Sequence, residues 1–309
     1  MQSSSHAHTE DPRNENVSIY VNGRIVPRPD ATVSVFDSGF LLGDGVWEGL
    51  RLHNGRVAFL DAHLDRMWEG AKAIDLDIGM SRRELTGALY RTCESNGMDS
   101  GVHIRLVVTR GLKRTPYQSP AANVGGSTVV IIPEWKAPEA SVLERGLTLY
   151  TVHVRRGAPD VQDPQWNSLS KLNCIAACIQ AQKAGADEAL MLDPHGFVAT
   201  CNSTNFFVVR RGELWTSTGR YCLQGVTRAN ILRLAREAGI PVYEKDFSVT
   251  EVYGSDESFV TGTFAGVIPA AAVDGRTIGE GTRGPITRRL QVLYRALIER
   301  ECPPKVIEA

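Results

Sequence analysis

The sequence predicts an α+β protein in two lobes. Short runs rich in β-branched residues recur along the chain, apolar stripes of helical period interrupt them, and a proline-containing break at 133–140 (PEWKAPEA) separates two such series. At 309 residues the chain is long enough for two modest domains or one large α/β unit.

The first lobe opens at VSIYVNGRIVP, where Asn22-Gly23 between alternating apolar residues signals a two-residue hairpin. FLDAHLDRMWEGAKAI sets Leu60, Leu64, Met67, Trp68 and Ala71 on one helical stripe. A second helix begins at Ser81, with Glu84 three residues on as a capping box, and continues through Leu85, Ala88 and Leu89. HIRLVVTRG and STVVIIPEW read as strands. The polar stretch MQSSSHAHTEDPRNEN lacks the apolar region of a secretory signal and is expected to be a disordered tail. The expected division is a tail at 1–16, a small domain at 17–134, a linker at 135–146 and a large domain at 147–309.

The second lobe starts with the strand LTLYTVHV and a loop rich in Pro, Asp and Gly. Leu172, Ile175, Ala176 and Ile179 make an i, i+3, i+4, i+7 stripe, which puts Ser170 or Lys171 near a helix N-terminus. EALMLD, FVAT, NFFVV and ELWTS are short strands joined by turns at His195-Gly196 and Arg211-Gly212. VTRANILRLAREAG is an amphipathic helix stopped by Gly239, with Pro241 beyond. ESFVTGT and VIPAAAVDGR are strands, and a helix from Pro285 to about Glu301 closes the chain.

Composition narrows the function. With a formal net charge of −1, nothing predicts binding to nucleic acid or an anionic membrane by bulk electrostatics. No apolar run approaches the ~20 residues that span a bilayer. Cys93, Cys174, Cys178, Cys201, Cys222 and Cys302 show no CxxC spacing, and the histidines form no ligand pair at helical spacing, so no metal site is expected. Cys174 and Cys178 share a helical face and read as two buried small hydrophobes. The scattered cysteines point to a reducing cytoplasm.

Several segments could carry chemistry. GEGTRG at 279–284 matches a dinucleotide fingerprint in letters only, because the chain ends within one helix and supplies no βαβ unit. LQGVTRANIL is a better anion site, since Gly225 frees the backbone and Val226 and Thr227 open a helix whose N–H groups favour phosphate. FVTGTFAG adds a second turn with the Thr263 hydroxyl beside Gly262. Arg66 in DAHLDRM is by itself a solvated arginine, and Lys171 in WNSLSKLNCI is by itself a surface charge. A lysine facing a cleft, however, can be desolvated and attack a carbonyl cofactor to form an imine.

Together these segments resemble the class IV, fold-type IV pyridoxal-phosphate enzymes, a group that includes branched-chain and D-amino-acid aminotransferases, (R)-selective amine transaminases and aminodeoxychorismate lyase. VNGRIVP, FDSGFLLGDGVWEGLR, HLDRM, IRLVVTRG, KLN, GADEALMLD, Asn205-Phe206-Phe207, GVTR and FVTGTFAGVIPAAAVDGR occur in the family's order across roughly residues 18 to 300. The resemblance implies a D-amino-acid-aminotransferase-like two-domain fold, with cofactor binding in the large domain, pyridoxal 5'-phosphate as cofactor and a homodimer. It assigns the cofactor phosphate to Arg66, Val226, Thr227 and Thr263, and to Lys171 the covalent bond to the cofactor and the proton shuttle at the substrate Cα. Phe40, Trp47, Gly262, Phe264 and Ala265 would line the substrate pocket.

Two positions depart from the family pattern. Thr200 stands where relatives carry a glutamate that pairs with the pyridine nitrogen, so only a neutral hydrogen bond is expected there. Counting back without gaps from GADEAL, the family's lysine column falls on Asn167, one helical turn before Lys171. The expected function is therefore transamination between a hydrophobic or branched-chain amino acid, or an (R)-amine, and a 2-oxo acid. A lyase of the aminodeoxychorismate type and a cofactor-free descendant of the fold are the alternatives. Arg24, Arg51, Arg105 and Arg110 could each receive a substrate carboxylate.

Overall fold

The computed structural model describes residues 5–304, and the chain divides into two compact units. One holds Glu10–Ala137, Trp166–Lys171 and the residues from Glu299 on, and is built around a six-stranded sheet. The other holds the residues up to Thr9, Pro138–Gln165 and Leu172–Ile298, around a nine-stranded sheet.

In the six-stranded unit a 3-10 turn at Pro12–Asn16 leads into β1 (Ser18–Val21) and β2 (Arg24–Pro27). These close as an antiparallel hairpin, Val21 opposite Arg24, across Asn22-Gly23. Both turn residues have positive φ, 46° and 88°, as that turn demands. Then come α1 (Ser38–Leu42), β3 (Gly45–His53), β4 (Arg56–Val57), α2 (Leu60–Ala73), α3 (Arg82–Ser95), β5 (Val102–Thr109) and β6 (Thr128–Trp135). The strands are ordered β2-β1-β6-β5-β3-β4. Alternation sends Val46, Leu50 and Leu52 of β3 and Ile104, Leu106 and Val108 of β5 into one core, with Leu64 and Met67 of α2 and Leu85 and Leu89 of α3. The capping box of α3 forms as its spelling requires: Glu84 N–H donates to Ser81 Oγ, and Ser81 N–H to the Glu84 carboxylate.

The nine-stranded unit runs α4 (Val142–Arg145), β7 (Leu147–Thr151), α5 (Pro159–Gln162), α6 (Leu172–Lys183), β8 (Glu188–Leu192), β9 (Val198–Cys201), β10 (Asn205–Arg210) and β11 (Glu213–Thr216). It continues with α7 (Val226–Glu237), β12 (Val242–Glu244), α8 (Val249–Tyr253), β13 (Glu257–Gly262), β14 (Gly266–Val273), β15 (Arg276–Thr277) and α9 (Pro285–Glu301). Strand order is β12-β11-β10-β13-β14-β7-β8-β9, with β15 paired to β14. Parallel contacts at β11–β12, β14–β7 and β7–β8 interrupt antiparallel ones, the mixed pattern of an α+β fold. Phe207 and Phe259 stack face to face in its interior, centroids 4.9 Å apart.

Two expectations change here. Helix α6 forms where the stripe placed it, but Leu172, Ile175 and Ile179 lie outward, exposed by 75%, 51% and 46%. Its buried face is Ala177 and Ala181, which pack with Ala189, Met191 and Val152. Small residues let a helix approach a sheet closely, and that contact outranks the larger side chains. Cys174 and Cys178 are accordingly half-buried rather than interior, and Cys174 Sγ lies 3.0 Å from Arg156 Nη1.

Of the N-terminal sixteen residues, 1–4 lie outside the described residues, as do 305–309 at the other end. Ser5 is buried with its hydroxyl 3.2 Å from that of Ser203, and the His6 ring stacks on Phe264 at 5.6 Å. GEGTRG is a loop ahead of α9, and the first N–H groups of that helix, at Ile286 and Thr287, donate to the Glu257 carboxylate at 2.9 and 2.8 Å. An acid of the chain already caps that helix, which leaves the fingerprint no phosphate to bind.

Candidate active site

In the six-stranded unit the site grows from β3. Residues 167–169 lie along this strand as an extra ribbon: Trp47 N–H donates to the Asn167 carbonyl at 2.9 Å, Leu169 N–H to that of Gly45 at 2.9 Å, and Trp47 Nε1–H to that of Ser168 at 3.2 Å. Gly45 permits the approach, because a Cβ there would strike Val108 O and Leu169 Cδ1. The ribbon delivers Asn167, only 3% exposed, and four residues on Lys171, just ahead of α6.

Behind the ribbon lies a buried polar network. Glu48 is fully buried and accepts hydrogen bonds from Arg66 Nε at 2.8 Å and Arg66 Nη2 at 2.6 Å, and it also meets His63 Nδ1 at 2.7 Å. His63 and Arg66 share one face of α2 at i, i+3. Asn167 Nδ2 donates to the Trp47 carbonyl at 2.6 Å and, at 3.4 Å, to Glu48 Oε1. Lys171 Nζ donates to Asn167 Oδ1 at 3.3 Å and stands 5.5 Å from the centre of the Trp47 ring. Burial would push the Glu48 carboxyl up, but the hydrogen bonds from His63 and Arg66 outweigh it and hold the group below the usual carboxylate range. Arg66 is therefore an ion-paired arginine, not a solvated one.

The same unit sorts the four arginines. Arg110 forms a two-pronged pair with Asp44, at 2.7 and 3.0 Å, and also donates to the Ile74 and Asp75 carbonyls. Arg51 is buried and donates to the Lys136 carbonyl. Arg24 is exposed on the β1–β2 hairpin. Arg105 sits over the Trp47 ring at 3.8 Å and forms no ion pair among the described residues. Phe40 is 69% exposed on α1.

In the nine-stranded unit the other candidates converge. Val226 and Thr227 open α7, and Gly225 caps it. A Cβ at Gly225 would collide with the Asn205 Oδ1 that lies against it, while Asn205 Nδ2 donates to the Leu223 carbonyl at 3.0 Å. Thr227 Oγ1 lies 3.3 Å from Tyr294 OH, and a Cβ at Gly266 would meet the Tyr294 ring at 3.1 Å. Tyr294 thus joins the start of α7 to the Gly262–Thr263–Phe264–Ala265 turn between β13 and β14. Phe264 is only 5% exposed beneath His6. Thr200 on β9 is also buried, and its hydroxyl donates to the Thr204 carbonyl at 2.7 Å. Thr261 stands opposite Asn205 across β10 and β13, and its buried hydroxyl has no hydrogen-bond partner among the described residues.

Sequence reasoning passed over Glu48, His63, Tyr294 and Thr261. For Glu48 a signal existed: it alternates with Val46 and Leu50 on the inward face of a strand, opposite a helix that reads His63-x-x-Arg66. Tyr294 and Thr261 carry no local signal. Another buried acid, Glu188 on β8, is pushed up by burial even though the Ser203 and Thr204 hydroxyls donate to it at 2.6 and 2.9 Å.

Both the fold and its motifs have known relatives. The profile of the family described as amino-transferase class IV matches residues 45–273. The chain is 41% identical over 288 residues to branched-chain-amino-acid aminotransferase-like protein 2 of Arabidopsis thaliana, which takes in 93% of this chain and 51% of the plant protein. It thus spans about half the length of that relative. The branched-chain amino acid aminotransferase of Escherichia coli superposes with a TM-score of 0.86 at 28% identity, covering 95% of this chain and 98% of that one. That of Thermobaculum terrenum, in its PLP-bound holo-form, gives 0.82 at 27% identity, covering 93% and 95%. The chain belongs to the class IV aminotransferase family, the fold-type IV enzymes that work with pyridoxal 5'-phosphate.

Proposed function

We propose that the chain is a pyridoxal-phosphate-dependent transaminase, moving an amino group between a hydrophobic or branched-chain amino acid, or an (R)-amine, and a 2-oxo acid. The observation that carries this reading is the position of the Lys171 amine, hydrogen-bonded to Asn167 and through it joined to the buried Glu48–Arg66 pair. A phosphorylated carbonyl cofactor calls for one amine to bond its carbonyl carbon and for cations and N–H groups to hold its phosphate. Lys171 and Arg66 suit those roles within the six-stranded unit, and the N–H groups of Val226 and Thr227 and the Thr263 hydroxyl suit a phosphate within the nine-stranded one. The unpartnered Thr261 hydroxyl, opposite Asn205 in the sheet, fits a ligand bearing acceptor oxygens.

When bound, the cofactor supplies an electron-withdrawing ring that stabilises negative charge at the substrate Cα. In this reading Lys171 takes and returns the Cα proton. Thr200 offers a ring nitrogen lone pairs rather than a proton, because its O–H is engaged by Thr204. The apolar side chains of Trp47 and the exposed Phe40, both in the six-stranded unit, suit a hydrophobic substrate. Arg105 is the arginine best suited to a substrate carboxylate, since it stacks on the Trp47 ring without an ion pair among the described residues. We read the protein as cytoplasmic from its six free cysteines. We read it as a homodimer from the outward apolar face of α6.

Purified protein mixed with pyridoxal 5'-phosphate, reduced with borohydride and mapped by peptide mass is expected to carry the label on Lys171. Label on any other lysine, or none, overturns the assignment. A visible absorbance band that vanishes on adding a branched-chain amino acid and returns with a 2-oxo acid is the expected sign of transamination.

A further inference from the structure

We propose that Asn167 is a positioning residue for Lys171, a brace that fixes where the amine stands. The inference rests on the proposal above that Lys171 bonds the cofactor. Counting back from GADEAL puts Asn167, not Lys171, in the column the family reserves for that lysine. In the fold the asparagine is 3% exposed, and both ends of its carboxamide are engaged. The Nδ2 group donates to the Trp47 carbonyl and to Glu48 Oε1, and Oδ1 accepts from Lys171 Nζ.

The carboxamide cannot be turned over at low cost. Reversal would set Oδ1 against two acceptors, one of them a fully buried carboxylate, and would aim Nδ2 at an amine that is itself a donor. The acceptor is therefore held toward Lys171 by groups on β3, a strand paired with β5 from Gly45 to Leu52. Anchoring also comes from the backbone, because the Asn167 carbonyl accepts from Trp47 N–H. The lysine has a long flexible stem, and a fixed acceptor four residues earlier selects among its rotamers.

The test is labelling of the full chain with pyridoxal 5'-phosphate and borohydride, reading the rate and the site of modification beside the thermal midpoint. Asn167→Ala should slow labelling of Lys171 by about ten- to hundredfold, the range for loss of a hydrogen bond to a charged group, and spread label to other lysines. Asn167→Asp keeps an oxygen facing Lys171 but sets its second oxygen against the Trp47 carbonyl and the buried Glu48 carboxylate, so it should not restore the rate. Leu169→Ala loosens the same ribbon without touching the carboxamide and should lower the thermal midpoint while leaving Lys171 the labelled residue. Asn167→Ala labelling Lys171 at the wild-type rate overturns the brace while leaving the role of Lys171 intact. Equal slowing in Leu169→Ala likewise assigns the effect to general loosening and overturns it. A wild-type protein labelled elsewhere or nowhere overturns both the brace and the reading beneath it.

Discussion

Replacing Glu48 by glutamine removes a negative charge that Arg66 and His63 share inside the six-stranded unit. The carboxylate is fully buried, the His63 side chain is 1% exposed and the Arg66 side chain 13%. Breaking a buried pair by neutralising one partner costs about 3–5 kcal/mol, because the remaining charge keeps its desolvation penalty without its counter-ion. Arg66 retains some contact with water, which places the expected loss near the lower end, about 3 kcal/mol. For a 309-residue protein, at about 2.1 cal/mol/K of unfolding entropy per residue, that corresponds to a fall of roughly 5 °C in thermal midpoint. Urea denaturation of Glu48→Gln, Arg66→Met and the double variant measures the coupling directly. The pair energies should be strongly non-additive, with the double variant little worse than Glu48→Gln alone. The same series carries a pH signature. Because the folded Glu48 carboxyl lies below its ordinary value of 4.5, its contribution is present above that pH and is lost as pH falls through the folded value. Glu48→Gln should lack that component of acid lability. Effects that add within about 0.5 kcal/mol, or an unchanged acid limb, would refute the argument that this network is one cooperative charge cluster.

Two further outcomes follow from the nine-stranded unit. Glu188 has the opposite sign: burial raises its folded value, so stability is greatest below the ordinary range and is lost as pH rises through the folded value. Glu188→Gln should be neutral within about 1 kcal/mol near pH 7 and should flatten that loss, which denaturation across pH will show. Gly225→Ala forces a Cβ onto Asn205 Oδ1. It should cost about 1–3 kcal/mol by overpacking and should weaken pyridoxal phosphate binding by disturbing the start of α7, measured by calorimetry.

Much of the fold is legible because its signals are local. The Asn22-Gly23 hairpin, the Ser81–Glu84 capping box, the end of α7 before Gly239 and the start of α9 at Pro285 each depend on residues within a few positions of one another. The family motifs are legible for a related reason: glycine at 45 and 225 marks places where no side chain fits. Arg66 and Lys171 could be singled out from those motifs, but what holds them could not.

Partnership is a different matter. The outward face of α6, the Tyr294 link between Thr227 and Gly266, the His6 ring over Phe264 and the Asn167–Glu48 contact join residues far apart in sequence, the last across 119 positions. Backbone periodicity says which side of a helix or strand a residue takes, and the order of letters carries that much, together with the elements and their succession. Which element covers that side is settled by packing and by where buried polar groups find partners. Those are properties of the assembled fold, and Asn167 shows the difference. In the sequence it is a polar residue four positions before Lys171; in the fold it is a buried carboxamide between Glu48 and Lys171.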